Sequence, residues 1–106
     1  MKLRHATPAK RAASIRRSGL LTAKSKGRLP AVWLHAPSRT AWAVVHTVKR
    51  HGGDVRDVVV LTVTVPRSWC RRSQRGLWAC VRDVPPSRVA AVVICFDEVA
   101  ASPARA

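Results

Sequence analysis

The spacing of apolar residues changes period several times along this chain, and each change marks an element. Residues 3–7, Leu-Arg-His-Ala-Thr, read as a short strand that presents His5 just before the chain turns. Thr7 stands as a helix N-cap and Pro8 as the first residue of a helix over 8–17, where proline loses no needed hydrogen bond. Within it Ala9, Ala12, Ala13 and Ile15 recur among Lys10, Arg11, Arg16 and Arg17, which leaves one apolar side. Ser18-Gly19 closes the helix because glycine accepts a positive φ, and Leu20 and Leu21 return to the core. Residues 22–29 form a polar loop carrying Lys24, Lys26 and Arg28, ended by Pro30. Alternation resumes over 31–35, placing Val32 and Leu34 toward the core and leaving Trp33 to a cleft or a helix.

Ser38 caps a second helix over 39–51, with Ala41, Trp42, Val44, Val45 and Val48 as its buried side. Lys49, Arg50 and His51 load its last turn, where cations complement the helix dipole, and Gly52-Gly53 stops it. Residues 57–65 are the strongest strand of the chain, apolar on both faces at first, as an interior strand requires. Residues 67–75 read as irregular, anchored by Trp69 and exposing Arg71, Arg72 and Arg75. A short strand over 76–81, a rigid turn at 84–87 and a last strand over 89–96 follow, with a frayed tail at 100–106. About five strands and two helices make one α+β domain over residues 1–99.

Charge adds a partner class. The 106 residues hold 20 Lys and Arg against 5 Asp and Glu, a formal charge of +15 that draws in RNA, DNA or an anionic dinucleotide. Abundant Arg, Ala and Val with neither Asn nor Tyr is also what a GC-rich genome imposes on any protein, so the charge has two readings. Cys70, Cys80 and Cys95 are odd in number and unclustered, which indicates reduced thiols and neither a disulfide frame nor a metal site. With no membrane span and no apolar signal core, the expectation is a cytoplasmic protein that does not bind membranes.

Several stretches taken in order resemble the ADP-ribosyltransferase-like half of the RNA 2′-phosphotransferases, enzymes that use NAD to remove a 2′-phosphate from RNA. The family's His-Gly-Thr before a helix ending in Gly-Leu looks like His5-Ala6-Thr7 before Ser18-Gly19-Leu20. Its arginine ahead of a Val-His-Leu-Ser strand resembles Arg28 ahead of Val32-Trp33-Leu34-His35, with one extra residue. A helix ending in Arg and Gly before Val-Val-Leu is similar to Arg50-His51-Gly52 before Val59-Val60-Leu61. The family's Gly-Val-Trp-Leu and Val-Pro-Pro resemble Gly76-Leu77-Trp78-Ala79 and Val84-Pro85-Pro86.

That resemblance implies a small split, curved sheet holding NAD in a cleft between its halves. It implies that His5 bonds a ribose hydroxyl, that the backbone at Ala6 holds the nicotinamide amide, and that Thr7 supports that loop. Trp33 joins these as a cofactor-binding candidate, and Arg28 and Arg50 become the phosphate-handling, catalytic arginines. The implied reaction is attack of an RNA 2′-phosphate on the nicotinamide-bearing carbon of NAD. Two departures stand beside it: the chain starts directly at the His-x-Thr strand, without the family's N-terminal lobe and its further arginine and histidine, and Ala6 replaces glycine. Glu98 is the one candidate for the late glutamate of a protein-modifying ADP-ribosyltransferase. A non-catalytic, basic nucleic-acid-binding module on the same fold is the alternative, with residues 24–28 and 71–75 as its contacts. An inactive toxin-like or partner-binding remnant is the third reading.

Overall fold

The computed structural model describes residues 1–25 and 30–92. In chain order these form β1 (Lys2–Pro8), α1 (Ala12–Ser18), β2 (Val32–His35), α2 (Thr40–His51), β3 (Val58–Thr64), β4 (Cys70–Gln74), β5 (Leu77–Cys80) and β6 (Val89–Val92), joined by short 3-10 turns. The six strands make one antiparallel sheet in the order β4-β5-β2-β1-β3-β6. The class is α+β with two helices, as the sequence indicates. The five strands expected become six among the described residues, and positions 93–96 of the expected last strand and the tail lie outside them.

β3 is interior because its valines demand cover on both faces. Leu61, Val63 and Val65 join Leu3, Ile15, Leu20, Val32, Leu34, Cys80 and Val84 in a core on the α1 face. Val58 and Val60, pointing the other way, pack with Val44 of α2 and with Ala6. Burying one such valine contributes about 1.5–3 kcal/mol, so the two cores fix a helix on each face of the sheet.

Three local expectations are corrected. The strand runs on through Pro8, which pairs with Val58, so Thr7 is a buried strand residue and caps nothing; α1 starts after Arg11 with no side-chain cap. Met1 and Val65 exchange two backbone bonds of 3.0 Å. By parity Leu3, His5 and Thr7 then bond to β3, whereas Arg4, Ala6 and Pro8 turn their backbones the other way. Proline at position 8 therefore removes no bond of the β1–β3 ladder. Ser38 lies in the turn before α2 and makes no cap bond; the Thr40 hydroxyl instead donates to the Pro37 carbonyl at 2.8 Å and accepts from Arg4 at 3.1 Å. The buried side of α2 is Thr40, Ala43, Val44 and Thr47, while Trp42 turns away from the core.

The segment expected to be irregular contains β4, an edge strand reading Cys-Arg-Arg-Ser-Gln. Its residues carry no apolar period, and pairing with β5 across the Arg75-Gly76 turn is what makes it a strand. Trp69 just before it is half-buried and has the guanidinium groups of Arg88 and Arg82 over its ring, 5.0 and 5.6 Å from the centroid.

Candidate functional site

β1 and β3 are registered over all seven residues from Lys2 to Pro8, but β1 and β2 share a single registered pair, Arg4 and His35. Beyond that pair the two strands part. Continued pairing would have set Ala6 opposite Trp33; instead the His5 ring reaches across, and its Nδ1 donates to the Trp33 carbonyl at 2.8 Å. A side chain thus occupies the acceptor that a strand ladder would have used. The N–H and C=O of Ala6, turned toward β2 by the parity of the strand, have no registered partner there.

The gap is the floor of a cavity of about 520 Å³, within the roughly 300–1,000 Å³ range usual for small-molecule sites. Consecutive residues of both strands line it, His5, Ala6 and Thr7 from β1 and Val32 to His35 from β2. A fully paired, covered strand shows alternate residues to a given space, so this consecutive lining is the mark of the parted strand edges. From α2 come Trp42, His46 and Arg50, spaced four apart on one stripe of the helix. Of the residues singled out from the sequence, His5, Ala6, Thr7, Trp33 and Arg50 meet at this cavity. Arg28 lies outside the described residues, as does Glu98.

Trp33 is 40% exposed, far more than a core tryptophan tolerates, and lines the cavity. Trp42 is stacked on the His46 imidazole, with centroids 4.9 Å apart and planes 10° from parallel, and has Arg39 on it as well, 5.5 Å from the ring centroid.

All four histidines of the chain line the cavity, and no carboxylate does among the described residues. Burial pushes the His5 pKa below its ordinary value; the bond to Trp33 opposes this and the nearby Arg11 charge adds to it. A carbonyl accepts and cannot donate, so Nδ1 of the neutral ring carries the proton and Nε2 is a bare acceptor. His35 is 4% exposed, its Nε2 has no hydrogen-bond partner, and burial, then His5, then Arg4 hold its pKa down to about 4. Neither ring brings a positive charge at neutral pH, and the cationic field belongs to Lys10, Arg11, Lys24 and Arg50. The site is a neutral hydrogen-bonding floor inside a cationic rim, suited to a polar ligand carrying phosphate.

His35, Trp42, His46 and Arg11 were not singled out from the sequence. The i, i+4, i+8 spacing of Trp42, His46 and Arg50 was a visible signal for α2. Nothing in the sequence marks His35, whose place depends on where the strands part.

No family profile, curated protein or solved structure matches the chain. No group of three or more His, Cys, Asp or Glu side chains that could hold a metal occurs among the described residues, and none of their helices is long and apolar enough to cross a membrane.

Proposed function

We propose that the cavity binds NAD or a related ADP-ribose dinucleotide and that the chain is an ADP-ribosyltransferase-like transferase of the RNA 2′-phosphotransferase type. What supports this is the meeting of His5, Ala6, Trp33 and Arg50, drawn from three elements, at one cavity in a parted sheet that no carboxylate among the described residues lines. NAD supplies an N-glycosidic bond already activated by its pyridinium, so the leaving group departs as neutral nicotinamide. The chain supplies position and charge. His5 Nε2 accepts from a ribose hydroxyl. The Ala6 N–H and C=O, a donor and acceptor side by side with no registered partner on β2, match a carboxamide, and Trp33 offers a flat surface for a ring. Arg50 holds the attacking phosphate. The new C–O bond forms as the C–N bond breaks, and the electron pair leaves with the nicotinamide nitrogen. No protein nucleophile takes part, and the rate comes from orientation and electrostatics.

The test separates ligand contact from fold. His5→Asn keeps a donor near the position of Nδ1 for the Trp33 carbonyl and removes the Nε2 acceptor. Calorimetry with NAD is expected to show a loss of about tenfold or more in affinity, the size of one good charge-free contact left unmade in a buried site, with the melting temperature unchanged. Equal binding by variant and parent overturns the reading. Incubation with NAD and RNA bearing an internal 2′-phosphate then tests turnover through nicotinamide release.

A second reading, a basic nucleic-acid-binding module, is favoured by one observation: Arg67, Arg71, Arg72 and Arg75 are all exposed around the β4 edge. It requires affinity for a mixed oligonucleotide pool that falls steeply with salt and survives Arg50→Gln. Absent or salt-insensitive binding removes it.

A further inference from the structure

The α1 side of the cavity holds charge that the proposed reaction leaves unused. Lys10 and Arg11 stand in the turn Ala9–Arg11 that follows β1, and Lys24 in the turn Thr22–Lys24; all three line the cavity. The described carboxylates are engaged elsewhere. Asp54 and Asp57 accept from each other's segment, at 3.0 Å from the Arg56 N–H and 2.8 Å from the Asp54 N–H, and Asp83 accepts from the N–H and hydroxyl of Thr22 at 2.8 and 2.9 Å. No carboxylate among the described residues neutralises Lys10, Arg11 or Lys24. The support of Lys24 is fixed: Leu20 and Val84 exchange backbone bonds of 2.9 and 2.8 Å, and Asp83 grips the first residue of the Lys24 turn. Arg11 is half-buried and close enough to His5 for its charge to help keep that ring neutral. Because α1 and α2 pack on opposite faces of the sheet, this cluster and Arg50 reach the gap from opposite sides.

We propose that Lys10, Arg11 and Lys24 form a separate pyrophosphate-binding wall of the cavity, on the face away from Arg50. Three cations from two turns, one of them a planar fork of donors, suit two adjoining phosphates better than a single carboxylate. In its nucleotide form this rests on the reading of the cavity as a dinucleotide site, and it divides the labour: the α1 wall holds the dinucleotide's pyrophosphate, and Arg50 is left for the acceptor's phosphate.

The experiment uses the whole chain with two probes, inorganic pyrophosphate and ADP-ribose, titrated by calorimetry at low salt into the parent, Arg11→Gln and Arg50→Gln. Arg11→Gln is expected to weaken both probes about tenfold, and Arg50→Gln to change pyrophosphate affinity by less than about threefold, the difference between losing and keeping a charge-assisted contact. The Lys10→Gln, Lys24→Gln double variant is expected to flatten the dependence of affinity on salt, and pyrophosphate to move the His5 ring resonances of the parent and not of Arg11→Gln. Pyrophosphate binding that depends on Arg11 without any binding of ADP-ribose keeps the anion wall and discards the dinucleotide reading. ADP-ribose binding with full affinity in Arg11→Gln, or no binding of pyrophosphate to the parent, overturns the wall. Matching circular dichroism and melting of the variants shows that the fold is intact.

Discussion

His35 gives the sharpest test of the site's electrostatics. Its ring is 4% exposed, Nε2 has no partner, and its pKa falls from 6.5 to about 4, chiefly through burial. The unfolded chain therefore binds a proton at this position below about pH 6.5 that the folded chain refuses until about pH 4. Stability conferred by the neutral ring is fully present above the unfolded value and is lost as pH falls toward the folded one. One proton taken up on unfolding costs about 1.4 kcal/mol per pH unit across that window, which gives a loss of about 2 kcal/mol by pH 5 and about 3 kcal/mol by pH 4. In a domain of this size that first step lowers the melting temperature by roughly 8–16 °C. His5 is also held neutral by burial and acts in the same direction, so the parent's slope is expected to exceed one proton. Asp83, whose pKa is lowered by its bonds from Thr22, begins to lose its contribution as pH falls through the ordinary carboxylate value, so it touches only the acid end of this window. Urea denaturation at steps between pH 7 and pH 4 is the assay, with His35→Gln as the comparison because glutamine stays neutral throughout. The variant should lose one proton's worth of slope. Parallel pH profiles for parent and variant would refute the assignment of a suppressed histidine at this position.

Other consequences are local. Gly19→Ala adds a Cβ that collides with the Val84 carbonyl at φ 76°, and should cost about 3 kcal/mol or more. Gly52→Ala at φ 79° meets open space and should cost about 1 kcal/mol, so equal melting shifts would defeat the clash argument. Burial and the neighbouring Cys80 thiol push the Cys70 thiol up to about 11, so the native protein should alkylate at Cys70 far more slowly near pH 8 than after unfolding; peptide mass mapping that finds equal rates contradicts it. Trp69→Leu keeps apolar cover and removes the ring under Arg82 and Arg88, with an expected loss of about 1–2 kcal/mol read by denaturant midpoint. A loss that persists unchanged in an Arg82→Ala, Arg88→Ala background would show that the cation contacts contribute nothing.

The chain's own residues determined much of this. Apolar runs and glycine stops placed both helices near their observed spans and named β1, β2, β3, β5 and β6, because hydrophobic period and backbone-permissive glycine act locally. His5 and Trp33 were visible as polar or aromatic exceptions within apolar patterns, whereas Arg50 read as a cation complementing the helix dipole and was set at a site only by the family resemblance. What the tertiary structure decided is everything that needs two segments at once. Pairing with β3 drew Thr7 and Pro8 into a strand against their helix-starting chemistry, and pairing with β5 made a strand of Cys70–Gln74, whose polar sequence carries no period of its own. The parting of β1 from β2 after one registered pair opened the cavity, whose wall takes His46 and Trp42, the latter expected on the buried side of α2, and left His35 buried without a partner for Nε2. Local sequence sets which backbone shapes are cheap; which strand edges remain apart is settled by how two cores on opposite faces of one sheet are filled, and that sum is not written at any single position.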